Sequence, residues 1–144
     1  MTLMYSLTAI SVSLWIFGGY TYWLRPVIRY TNIPFPVTTR EVAAGEHVSM
    51  IVEHCNDDDN SHTFAVSREL VSLDSARPPI HLRPGLTEAP PGCERNERRG
   101  TMIPLDTPPG HYYLRGFTED NAGPRSFVVP WRTREFVVVP PRGE

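Results

Sequence analysis

Residues 1–24 carry no charged side chain, and most of residues 7–23 are apolar or aromatic. A helix rises about 1.5 Å per residue and the hydrocarbon layer of a bilayer is roughly 30 Å thick, so a run of this length can cross it as one helix. The sequence predicts a single-pass membrane anchor over residues 1–25, in contact with lipid through residues 3–24. The Ser and Thr residues within it are compatible with lipid because their hydroxyls bond back to helix carbonyls. Tyr5 near one end and Tyr20, Tyr22 and Trp23 near the other stand where amphipathic rings settle at headgroup depth. Arg25 and then Pro26 close the helix, since proline lacks the backbone N–H and disfavours helical geometry in the residue before it. A cleaved secretory signal fits less well: no basic residue leads the apolar run, and Gly18-Gly19-Tyr20 is a poor small-residue cleavage site.

The remaining chain of about 120 residues suffices for one domain with a real core. Fifteen prolines and ten glycines in 144 residues argue for many turns and against long helices outside the anchor. All 14 basic residues are arginine, and the net charge of −2 provides no global field to recruit nucleic acid.

Residues 26–41 are expected to be an extended linker and first edge strand, because Pro34 and Pro36 exclude a central strand. A β-sandwich domain is expected over residues 42–140, with a tail at residues 141–144. Ala43-Ala44-Gly45-Glu46 reads as a turn, and Val48, Met50 and Val52 alternate along a half-buried strand ending near Cys55. The polar run Asn56-Asp57-Asp58-Asp59-Asn60-Ser61 is expected to be an exposed loop. Phe64 and Val66 lie in one phase, Val71 and Leu73 in the other, which predicts a bulge or bend near residues 67–70. Residues 76–99 are rich in Pro, Gly and charge and are expected to form a mobile loop with one short strand at most, through Ile80 and Leu82. A short strand through Met102 and Ile103 precedes a turn at Pro108-Pro109-Gly110. Residues 111–118 read as a central strand with Tyr112, Leu114, Gly116 and Thr118 on one face. After a turn at 120–124, two apolar runs within residues 126–139 are split by Pro130-Trp131. The predicted class is mainly β, an N-terminal transmembrane helix followed by an antiparallel sandwich.

Pro109-Gly110-His111-Tyr112 resembles a strand opening in immunoglobulin-like domains, where a Gly-x-Tyr step places a tyrosine at the corner between sheets. The buried Trp between two cysteines of antibody domains is missing. The layout, with its Cys55-Asn56 and Pro91-Gly92-Cys93 contexts, is similar to small single-anchor membrane proteins encoded by bacteriophages and their bacterial hosts. That resemblance implies an immunoglobulin-like sandwich and an envelope location, and implies no activity.

Cys55 and Cys93 are the only cysteines, and an even count behind an export-like helix favours a disulfide. Two free thiols in the cytoplasm are the alternative. Arg25, Arg29 and Arg40 follow the helix and none precedes it, which by the positive-inside tendency would keep the domain cytoplasmic. The cysteines and the length of the domain weigh the other way, so the expected location is the periplasmic side of a bacterial inner membrane.

His54, Cys55, His62 and Cys93 could together ligate zinc, although neighbours on a strand point to opposite faces. A blue-copper site fails because no cysteine follows Cys93. Asp57, Asp58 and Asp59 offer hard oxygen ligands, but His62 and Arg68 stand where a calcium loop of the EF-hand type needs Gly and Glu. Arg95, Arg98 and Arg99 interleave with Glu94 and Glu97, a salt-bridged surface rather than a phosphate track. His111 beside Tyr112 and Tyr113, or Trp131 beside Arg132, could stand in a pocket, and no serine elbow, helix-borne His-Glu pair or phosphate loop is present. The expected function is a non-enzymatic, membrane-tethered interaction or structural module with an unknown protein partner, no cofactor and no catalytic residue. The alternative is a zinc-binding domain or metal-dependent enzyme using His54, Cys55, His62 and Cys93.

Overall fold

A computed structural model describes residues 26–120 and 127–143. The predicted anchor of residues 1–25 lies outside them, as do residues 121–124 of the expected turn. Among the described residues the chain forms nine strands: β1 (Ile28–Tyr30), β2 (Glu41–Ala43), β3 (His47–Asn56), β4 (His62–Ser72), β5 (Ile80–Ala89), β6 (Gly92–Met102), β7 (Gly110–Asp120), β8 (Phe127–Arg132) and β9 (Phe136–Val139). They make a three-stranded sheet in the order β1-β3-β6 and a six-stranded sheet in the order β2-β9-β7-β4-β5, with β8 also paired to β7. Every pairing is antiparallel except that of β2 with β9, which is parallel.

Alternation makes this layout physical. Val48, Met50 and Val52 of β3 turn inward, and Tyr112, Leu114, Gly116 and Thr118 of β7 do the same from the opposite sheet. One apolar cluster joins the two, holding Val48 and Met50 from the small sheet and Leu70, Leu114, Phe136 and Val138 from the large one. Each such side chain removed from water contributes about 1.5–3 kcal/mol, which explains why every second residue of a central strand is apolar. Tyr30 and Thr118 share a hydroxyl hydrogen bond of 2.6 Å that ties β1 to β7 across the interior. Tyr112 donates its hydroxyl to the Pro108 carbonyl, 2.8 Å away, at the start of the central strand.

Four expectations change. Residues 76–99 are mostly strand: β5 and β6 are long and are joined by Pro90-Pro91 alone. Each is the edge of its sheet, so one side of its backbone has no ladder to lose, and Pro84 and the charged run 94–99 are tolerated there.

The bulge expected in β4 belongs to β5. Val66 faces Gly85 and Arg68 faces Leu82, so the extra residue is on the β5 side, while β4 runs unbroken against β7 from Ala65 to Ser72. The strand keeps one phase because Arg68 occupies the inward position between Val66 and Leu70.

Pro130-Trp131 does not split the last apolar runs; both residues lie within β8, and the break falls at residues 133–135. There the Phe35 segment intrudes, its N–H donating to the Arg132 carbonyl at 2.9 Å and its carbonyl accepting from Arg134 N–H at 2.9 Å. Asn56, expected on the exposed loop, is the buried last residue of β3, and its side-chain amide donates to the carbonyls of Asn60 and Ala89, each at 2.9 Å.

Candidate functional site

Because β5 and β6 are edges of different sheets, the two layers part along that side, and the space between them opens into a cavity of about 210 Å³. Its wall on the core side is apolar. Phe35 stacks on Trp131 with centroids 5.8 Å apart, Tyr30 meets Phe35 edge-on at 5.1 Å, and Met50, Val52 and Val66 complete the surface. Gly116 makes room for the indole, since a methyl group there would come within 2.7 Å of Trp131 Cζ2.

Tyr30, His54, Arg68, Glu88, Arg98 and Arg99 are the charged or titratable residues in its lining, and three of them bring a cationic or basic group to it from inward positions on three strands. Arg68 comes from β4, and its guanidinium lies over Gly85, where an added Cβ would be 2.9 Å from Nη2. Arg98 comes from β6 and spans the mouth, Nη1 donating to the Thr87 hydroxyl of β5 at 3.1 Å. His54 continues the inward series of β3 and is 3% exposed, and among the described residues its Nε2 has no hydrogen-bond partner. Burial lowers the Arg68 pKa with no opposing cause. A second, wider hollow of about 550 Å³ begins on the far side of Arg68 and is lined also by His47, His81, Arg83 and Met102.

Burial also holds the His54 imidazole below its ordinary range, reinforced by the Arg98 charge and opposed by Glu94. The unfolded chain therefore takes up the proton more readily than the folded one. The stability linked to His54 is complete above about pH 6.5 and is lost as pH falls from there toward the depressed folded value. We expect the urea midpoint to drop between pH 7.5 and pH 5.5, and the drop to shrink in His54→Leu; equal drops in both proteins would refute this account.

No protein-family model matches the chain, and no curated protein sequence does. Among solved structures it is similar to the Pseudomonas fluorescens alkylpurine DNA glycosylase AlkC bound to DNA containing an abasic site analog, with a TM-score of 0.48 and 11% identity, covering 80% of this chain and 31% of that one. It is also similar to the β-glucosidase EmGH1 of Erythrobacter marinus (TM-score 0.44, 11% identity, 78% of this chain and 15% of that one). A β-glucosidase of Listeria innocua in complex with glucose follows (TM-score 0.36, 14% identity, 79% and 16%). The chain spans about a third or less of each of these proteins. At such scores and identities the likenesses assign neither a fold family nor an activity.

Of the residues singled out from sequence, Cys55 and Cys93 are brought together. They face one another on β3 and β6 and form a disulfide with Cα atoms 4.0 Å apart. The zinc arrangement consequently has no thiolate to use. His54 is buried in the core, while His62 instead meets Asp58 through Nε2 at 2.6 Å. No group of three or more potential metal ligands converges among the described residues.

Of the acidic loop, Asp57 pairs with Arg29 of β1 at 2.7 Å and Asp58 with His62 of β4, which ties the loop to both strands. The arginine cluster is divided by strand alternation: Arg95 pairs with Glu53 at 2.8 Å on the outer face, while Arg98 turns inward. Trp131 does line the cavity; His111 is exposed and meets Asp74 at 3.1 Å. Arg68 was missed as a site residue, and the signal for it was a charge standing in the inward phase of a strand.

Proposed function

We propose that this chain is a non-enzymatic interaction module of immunoglobulin-like type, tethered to a bacterial inner membrane by residues 1–25 and facing the periplasm. Three features support the fold reading: Tyr112 bonds back to Pro108 as a tyrosine corner does, the first short strand of the large sheet runs parallel to the last, and β7 is central. The chain departs from antibody domains in that its disulfide joins neighbours within one sheet and its core tryptophan is on β8. The disulfide supports an oxidising compartment.

The observation that carries an interaction role is the outer face of the large sheet. Leu86, Val128 and Phe117 are 76%, 56% and 48% exposed there. Their register sets Val128 and Phe117 in adjacent rows of neighbouring strands, with Pro130 opposite Phe117, while Leu86 lies three strands from Val128 along the row Leu86, Ala65, Glu119, Val128. Exposed apolar side chains at Phe117, Pro130 and Val128 on neighbouring strands offer a protein partner a surface to dock on. A photo-cross-linking amino acid at Phe117 in cells is expected to trap one discrete partner, and the same probe at the exposed Leu105 is expected to trap none. Identical adducts from both positions, or none from Phe117, would remove the support for this reading. Release of the full-length chain from membranes by alkaline carbonate would remove the anchor from it.

A further inference from the structure

We propose that the cavity between β5 and β6 binds a small amphipathic carboxylate, one aromatic ring or compact hydrocarbon carrying a short acidic arm. The inference is distinct from the protein-docking reading, because it rests on Arg68, Arg98 and the aromatic wall between the sheets and not on Phe117 and Val128; Leu86 alone borders both surfaces, so either can fail alone.

Size and lining set the body of the ligand. An apolar cavity of about 150 Å³ accepts benzene, and the volume here, about 210 Å³, leaves room for a ring and a short arm. The stacked Phe35 and Trp131, with Tyr30 edge-on, form a wall suited to a flat ring.

Charge sets the head group. Arg68 is half-buried at an inward strand position where it borders two hollows, so its guanidinium is partly desolvated, and among the described residues no carboxylate pairs with it. Arg98 has donors to spare beyond its bond to the Thr87 hydroxyl. Among the described residues Glu88 is the one carboxylate lining the cavity, and it is exposed and pairs with neither arginine. Guanidinium forks match the two oxygens of a carboxylate, and His54, buried beside them with an unpartnered Nε2, adds a further polar group to the lining. Among the described residues Arg68 and Arg98 thus stand on the rim of an aromatic hollow with no carboxylate paired to them, and Arg99 also lines it, which favours an acid over a neutral or cationic compound of the same shape.

The test is calorimetric titration of the full-length chain in nanodiscs with phenylacetate, phenylacetamide and 2-phenylethylamine. Phenylacetate is expected to bind, the amide to bind at least about tenfold more weakly, and the amine not at all. Arg68→Met is expected to lose phenylacetate by at least about tenfold, keep the amide, and melt no lower than the parent, because an apolar side chain fits the inward position without a buried charge. Arg95→Met, on the outer face, should leave all three titrations unchanged. Should Arg68→Met fail to fold, Gly85→Ala gives the same reading, since its methyl displaces only the flexible Arg68 head. No saturable binding of phenylacetate, equal affinity for acid and amide, or undiminished affinity in both variants would each overturn the proposal.

Discussion

Gly116→Ala is expected to destabilise the domain by about 3 kcal/mol or more, at or beyond the upper end of what overpacking costs. Gly116 is a buried, inward residue of the central strand, opposite Arg68 on one side and Trp131 on the other. A methyl group there would fall on the Ser67 carbonyl oxygen and also 2.7 Å from Trp131 Cζ2. The first clash is with backbone inside a paired ladder, which cannot move without breaking β4 from β7. The second is with a ring already held against Phe35. Urea unfolding followed by far-UV circular dichroism measures the loss. Trp131→Leu in the same chain relieves only the indole contact, so the double variant is expected to remain far below the parent; full recovery would show that the backbone clash is not what limits the site. Gly143→Ala, with nothing within 4 Å, is the neutral control.

Removing the disulfide with the paired change Cys55→Ser and Cys93→Ser is expected to cost about 4 kcal/mol by the chain-entropy account of a loop of this length. The sequence separation is 38, and the chain between the two cysteines leaves the small sheet, forms β4 and β5 of the large one, and returns. Without the bond, the small sheet keeps β6 through its ladder to β3, since among the described residues no strand pairs with the other side of β6. The urea midpoint should fall in the variant, and reductant should lower the parent toward it while leaving the variant unmoved. A parent insensitive to reductant under unfolding conditions would contradict the assignment.

Much of the strand pattern was legible because alternation is local. Val48, Met50 and Val52, or Tyr112, Leu114 and Thr118, declare a buried face without knowledge of what covers it. The two cysteines could be paired by count. The stretch 76–99 was misread because prolines and charges signal a loop only when a strand would be paired on both sides, and β5 and β6 are not. The site was less legible still. His54 and Arg68 stand in phase with apolar neighbours, yet the sequence alone does not say that two inward polar residues 14 positions apart share one hollow with Arg98.

The string of residues determined by itself the alternating faces of β3 and β7 and the turns at residues 44–46 and 108–110, because each depends on neighbours a few positions apart, and the count of two cysteines named the candidate cross-link. The tertiary structure alone decided which strands are edges, where the two sheets part, and that Arg68, Arg98 and His54 meet beside an aromatic wall. Those facts follow from pairings between distant segments, and no local periodicity encodes which strand ends up with an unpaired side.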